Sequence, residues 1–114
     1  MRRTRLPDAD LSLTGADSLG VQPQRPGTMP ELSRFFGIVI RMYYLDHDPP
    51  HFHASYGGSE ALVRIRPFSV IAGAVPTRVL ALVREWATLN EDALLDNWRR
   101  LRTDQTLLPI APLE

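Results

Sequence analysis

The chain contains neither cysteine nor lysine. The absence of cysteine excludes disulfide bonds, thiolate nucleophiles and cysteine-ligated zinc. The absence of lysine excludes Schiff-base chemistry and a P-loop lysine. All thirteen basic residues are therefore arginines, whose planar guanidinium groups suit carboxylate or phosphate partners. Any bound metal ion would need histidine and carboxylate ligands.

Net charge and long apolar runs are also missing. Thirteen basic residues balance thirteen acidic ones, so the chain has no overall field that would attract nucleic acid. No apolar run approaches the roughly 18 residues of a membrane span. The arginine-rich start is followed by Pro7 and Asp8 rather than by the apolar stretch of a signal peptide. We predict a cytoplasmic protein without membrane contact.

The composition changes near Met29. Residues 1–28 contain scattered prolines and glycines without helical or strand periodicity, which is typical of a disordered segment. We interpret them as a disordered leader or as the product of a mis-assigned start, with Met29 as the natural first residue. Residues 29–114 are long enough for one small core, and we predict that they form a single α+β domain.

Within this domain the pattern predicts strands followed by helices. Residues 36–44 are rich in β-branched and aromatic side chains, residues 51–56 and 59–66 flank a Gly-Gly turn, and residues 69–72 form a short last strand. Apolar residues at helical spacing predict one helix from Pro76 or Thr77 and another from Asn90. We expect an antiparallel sheet of about four strands with two C-terminal helices packed on one face.

The Gly-Gly turn fixes the register of the predicted hairpin, because a two-residue loop places His51 opposite Arg64 and Tyr56 opposite Ser59. Alternation then puts an apolar set on one sheet face, including Phe52 and Val63. The other face carries these polar and apolar residues: His51, His53, Ser55, Glu60, Leu62, Arg64 and Arg66.

All three histidines lie within seven positions, interleaved with aspartates. One hypothesis is a divalent metal site, such as a zinc site, because neutral imidazole is the commonest metal ligand. Its candidate ligands are Asp46, His47, Asp48, His51 and His53. A second hypothesis is a metal-free nuclease, with His51 and His53 as acid and base and Glu60 orienting one of them. Its candidate substrate-binding residues are Arg41, Tyr43, Arg64 and Arg66. The third alternative is a proline-fixed loop in which these side chains only hydrogen-bond the backbone.

The segment from Asp46 to His53 reads Asp-His-Asp-Pro-Pro-His-Phe-His and is followed by Tyr56-Gly57-Gly58. This string closely resembles the hallmark of a bacterial family of domains of unknown function, number 4160, and the resemblance covers residues 29–114. It implies a toxin-like component of a two-gene toxin-antitoxin module, with a small partner protein of the domain-of-unknown-function family 2442. It also suggests an endoribonuclease acting on RNA. The alternative is a non-enzymatic module that binds a protein or a metal, and the sequence leaves open whether the chain forms a homo-oligomer.

Overall fold

The computed structural model describes residues 30–44 and 46–114, so the predictions for residues 1–28 lie outside the described residues. It contains five strands followed by two helices: β1 (Glu31–Phe35), β2 (Ile38–Arg41), β3 (His51–Tyr56), β4 (Ser59–Arg64), β5 (Ser69–Ala74), α1 (Thr77–Leu89) and α2 (Glu91–Arg102). The strands form one antiparallel sheet in sequence order. Among the described residues, no helix has the length and apolar character that a membrane span requires.

The α+β class and the antiparallel sheet are confirmed, but the sheet has five strands rather than about four. The additional strand is β1. Phe36 and Gly37, which we predicted inside a strand, instead form the β1–β2 turn with φ angles of 51° and 81°. The turn escaped prediction because a phenylalanine rarely adopts a positive φ. A bulge between Glu31 and Ser33 also interrupts the alternation of β1.

The β3–β4 hairpin has the predicted register in all six pairs, from His51 opposite Arg64 to Tyr56 opposite Ser59. Gly57 supplies a positive φ of 58° in its turn, as a Gly-Gly loop allows. The last strand extends past the predicted residue 72 to Ala74 and passes through Gly73 at a φ of 72°. A Cβ at Gly73 would lie 2.2 Å from the main-chain oxygen of Glu60, so this close strand approach requires glycine.

The core lies between the apolar sheet face and the two helices. Phe52 and Val63 of the hairpin are fully buried with Trp86 of α1, and the Phe52 and Trp86 rings meet edge to face at 6.0 Å. The C-terminal segment closes the outer edge of the sheet, where Ile110 N donates to Leu32 O at 2.8 Å. Asn97 of α2 anchors this segment by accepting from the main-chain N–H of Leu108 and donating to its carbonyl, both at 2.8 Å.

Candidate functional site

Three side chains converge where the connector between β2 and β3 meets the start of β3. His51 and His53 share the sheet face opposite the apolar core, because they are two positions apart on β3. Asp46 reaches them from the connector. Although this face was predicted to carry mostly polar residues, the side chains of His51 and His53 are only 7% and 8% exposed. The cluster is therefore nearly enclosed.

The two imidazoles present the same ring nitrogen to one carboxylate oxygen. Asp46 Oδ2 lies 3.1 Å from His51 Nε2 and 2.9 Å from His53 Nε2. One donor atom of each of the three residues lies within 4.8 Å of the other two. Asp46, His51 and His53 therefore form the geometrically compact part of the five-residue ligand set that the sequence suggested.

The remaining ring nitrogens are already engaged. His51 Nδ1 lies 2.8 Å from the carbonyl oxygen of Pro49, which can only accept, so Nδ1 carries a proton and Nε2 offers a lone pair whenever the ring holds a single proton. That lone pair is buried, has no hydrogen-bond partner among the described residues, and faces Asp46 Oδ2 without hydrogen-bond alignment. Two facing acceptors repel each other unless a cation lies between them.

His53 lies between two carboxylates. Its Nδ1 is 2.8 Å from Glu60 Oε2, and its Nε2 is 2.9 Å from Asp46 Oδ2. A neutral ring can donate to only one of these oxygens. The ring is therefore doubly protonated between two carboxylates, or it donates to one of them and turns a lone pair toward the other. When the neutral ring donates to Glu60, both Nε2 lone pairs and the Asp46 carboxylate are aimed at one point.

Contacts with α2 fix the connector over the histidines. Trp98 Nε1 donates to Asp48 Oδ1 at 3.3 Å, and Arg102 Nη1 donates to the main-chain oxygen of Asp46 at 2.6 Å. The rings of Trp98 and His51 also approach to 5.3 Å. These contacts join residues that are about fifty positions apart, and sequence reasoning missed both α2 residues because no local pattern links them to the connector.

Tyr43 covers the other side of the cluster. Its ring stacks on His53 with a centroid separation of 3.9 Å and an interplanar angle of 23°. Burial raises the pKa of the Tyr43 phenol above its ordinary value of 10.0, and the negative charges of Glu60 and Asp46 raise it further. Tyr43, predicted to bind substrate, therefore packs against a candidate ligand and stays neutral.

The structure separates the predicted arginines into two groups. Arg41 lies directly opposite His53, and Arg64 lies opposite His51, so both border the cluster on the same face. Arg66 does not: it follows the end of β4 and its guanidinium pairs with Glu91 and lies 3.6 Å from Asp92. The predicted alternation fails at this position because the strand ends at Arg64.

The two other candidate ligands also lie apart from the cluster. His47 and Asp48 are exposed, and Asp48 is turned toward Trp98. His47 instead lines a cleft beside the cluster, together with residues of the connector and the end of α2. The cleft residues are Tyr44, Asp46, His47, Leu101, Arg102 and Asp104.

Comparison with known proteins places the site within a recognised family. Neither curated proteins nor solved structures include a match to this chain. A family model, described as "Domain of unknown function (DUF4160)", matches residues 37–99. The match covers more than half of the chain and includes the connector, both candidate histidines, Glu60 and Trp98. The chain therefore belongs to the DUF4160 family of domains of unknown function.

Proposed function

We propose that Asp46, His51 and His53 bind a divalent transition-metal ion, with zinc as the first candidate. The observation that carries this proposal is the convergence of two imidazole Nε2 atoms on one carboxylate oxygen while both Nδ1 atoms are engaged elsewhere. A cation at that point resolves the facing lone pairs and satisfies the buried nitrogen of His51.

The distances suit such an ion. Zinc binds nitrogen and oxygen ligands at about 2.0–2.2 Å, so two ligands of a tetrahedral ion lie about 3.4 Å apart. The observed separations of 2.9 and 3.1 Å from Asp46 Oδ2 need only a small opening to reach that value. Glu60 and the Pro49 carbonyl orient the imidazoles through their Nδ1 atoms, as outer-shell partners do in histidine metal sites.

The ligand set also indicates the chemistry. Two histidines and one carboxylate leave coordination positions open, which is typical of catalytic zinc and of non-haem iron(II) rather than of closed structural sites. When bound, the ion would supply Lewis acidity and an acidified water. Glu60 orients the ligand His53. Tyr43 and Trp98 pack against the two histidines and shield the centre from bulk water.

Zinc titration of the purified protein, followed by calorimetry and by metal analysis after gel filtration, tests this proposal. We expect one zinc ion per chain in the wild type. His51→Ala and His53→Ala should each weaken binding by more than about 100-fold, the upper range for loss of an outer-shell partner. His47→Ala is the matched control and should bind like the wild type. Absence of zinc binding, or equal binding by His51→Ala, would refute the proposal.

We propose, as a second candidate, that the domain acts in the cytoplasm as the toxin-like component of a two-gene module and cleaves RNA. The placement of Arg41 and Arg64 opposite the two histidines favours this function, since guanidinium groups bind phosphate next to acid–base groups. The near-complete burial of both histidines favours metal binding over metal-free proton transfer, which needs contact with substrate.

Co-expression with the neighbouring gene product, of the family 2442 type, tests the module. Expression of the domain alone should inhibit growth, and the partner should restore growth and co-purify with it. Light scattering of each species would show whether copies of the chain associate. A mixed RNA digest then separates mechanisms: cleavage that chelator abolishes requires the metal, whereas chelator-resistant cleavage that His53→Ala removes indicates acid–base catalysis. Absence of both growth rescue and complex formation would refute the module.

A further inference from the structure

Arg64 carries a buried donor that lacks a partner. Its Nε has no hydrogen-bond acceptor among residues 30–44 and 46–114 although it is shielded from solvent. A buried donor without an acceptor destabilises the folded state, so such groups in native proteins call for an explanation. Arg66, two positions further on, has both Glu91 and Asp92 beside it. Among the described residues, the buried donor without an acceptor therefore belongs to one of the two arginines that border the histidine cluster.

The position of Arg64 brings this donor next to the candidate metal centre. Arg64 and His51 are directly paired across the β3–β4 ladder, and paired residues have Cβ atoms about 4.5–5.5 Å apart on the same sheet face. The Arg64 side chain therefore starts beside His51 on the face that carries the cluster. One small ligand can therefore contact both Arg64 and an ion held by His51.

The local charge determines when such a ligand binds. Around the cluster, the carboxylates of Asp46 and Glu60 offset the guanidinium groups of Arg41 and Arg64. A divalent ion adds two positive charges to this balanced set, and bound cations are often the largest charges in a site. We therefore expect anion binding to strengthen when the ion is bound.

We infer that the metal-loaded centre binds a phosphate-type oxyanion, with one oxygen at an open position of the ion and another at the Arg64 guanidinium. The inference rests on the proposed metal site. A tetrahedral oxyanion offers oxygens in both directions and matches the guanidinium fork. This phosphate belongs either to a free monoester or to a nucleic-acid backbone.

Calorimetric titration of the zinc-loaded protein, freed of excess metal, with inorganic phosphate tests this inference. We expect saturable binding to the loaded protein and at least tenfold weaker binding to the metal-free protein. Arg64→Gln should keep zinc affinity within twofold of the wild type but weaken phosphate binding by about 10- to 100-fold, the effect of losing a charge-assisted hydrogen bond. Arg66→Gln is the matched control and should bind phosphate like the wild type.

The outcomes separate this inference from the metal proposal. If zinc does not bind the wild type, both fail. If zinc binds but phosphate does not, the inference fails while the metal site stands. The same conclusion follows if phosphate binds the metal-free protein or Arg64→Gln as tightly as it binds the zinc-loaded wild type. It also follows if acetate binds as tightly as phosphate does. Phenyl phosphate and a short single-stranded RNA distinguish the sources of the phosphate. Tighter binding of phenyl phosphate assigns a monoester, and tighter binding of the RNA assigns a backbone diester.

Discussion

Glu60 is expected to control the metal affinity of the cluster without touching the ion. Its Oε2 lies 2.8 Å from His53 Nδ1, so it holds the proton on that nitrogen and leaves Nε2 to bind the ion. Outer-shell partners of this kind change metal affinity by about 10- to 100-fold. The Glu60 side chain is 42% exposed, and solvent weakens its interaction, so the lower end of that range applies.

The expected order of zinc affinities among Glu60 variants follows from what each substitution removes. Glu60→Ala removes the acceptor and should raise the zinc dissociation constant about tenfold, equivalent to about 1.4 kcal/mol. Glu60→Gln keeps an acceptor oxygen but loses the charge. Since charge-assisted hydrogen bonds are roughly twice as strong as neutral ones, its dissociation constant should rise about threefold.

Competition with a chromophoric chelator at fixed total zinc measures these constants. Glu85→Ala, which alters an exposed carboxylate on α1, controls for the loss of one negative charge. The thermal unfolding midpoint of each metal-free variant shows whether folding is retained. Wild-type zinc affinity in folded Glu60→Ala, or an equal loss in Glu85→Ala, would refute the outer-shell role of Glu60.

Three further predictions concern the fold and are checked by urea unfolding. Gly73→Ala places a Cβ 2.2 Å from the main-chain oxygen of Glu60 on the facing strand, at a residue with a positive φ, so it should destabilise the protein by at least about 1 kcal/mol. Gly58→Ala is the control: nothing lies within 4 Å of a Cβ at Gly58, so this variant should not show the destabilisation that the clash causes. Phe36→Gly should stabilise the protein by about 1 kcal/mol, because Phe36 is 60% exposed at a φ of 51°; an unchanged or lower stability would contradict this. The hydrogen bond from Arg34 lowers the pKa of Glu31 below its ordinary value of 4.5. The Arg34–Glu31 pair therefore stabilises the fold fully above pH 4.5, and this stabilisation is lost as the pH falls through the lowered pKa. Arg34→Met should therefore have a slightly lower free energy of unfolding than the wild type at neutral pH, and this difference should disappear in acid.

Local rules were sufficient to predict the β3–β4 hairpin. A two-residue Gly-Gly loop fixes the register, and alternation then places His51 and His53 on one face. The two helices could also be predicted from a local pattern, because their apolar residues recur at helical spacing. Strand β1 was missed because its pattern is broken by a bulge and because the turn that follows it uses Phe36 at a positive φ.

The choice among the candidate ligands could not be made from the sequence. Asp46, His47 and Asp48 are consecutive, and each could in principle reach the histidines. The path of the connector decides between them, and that path depends on Trp98 and Arg102 of α2. Such long-range contacts leave no periodic signal in the sequence.

The candidate ligands Asp46, His51 and His53 all lie within one short segment of the chain, and this affects how the unfolded protein behaves toward metal. An unfolded chain keeps such neighbours close, because closing a short loop costs little conformational entropy. The denatured ensemble therefore retains part of the chelating ability of the native site. Since a ligand stabilises a protein only through its preference for the native state, zinc should raise the unfolding midpoint by less than its affinity for the folded domain implies.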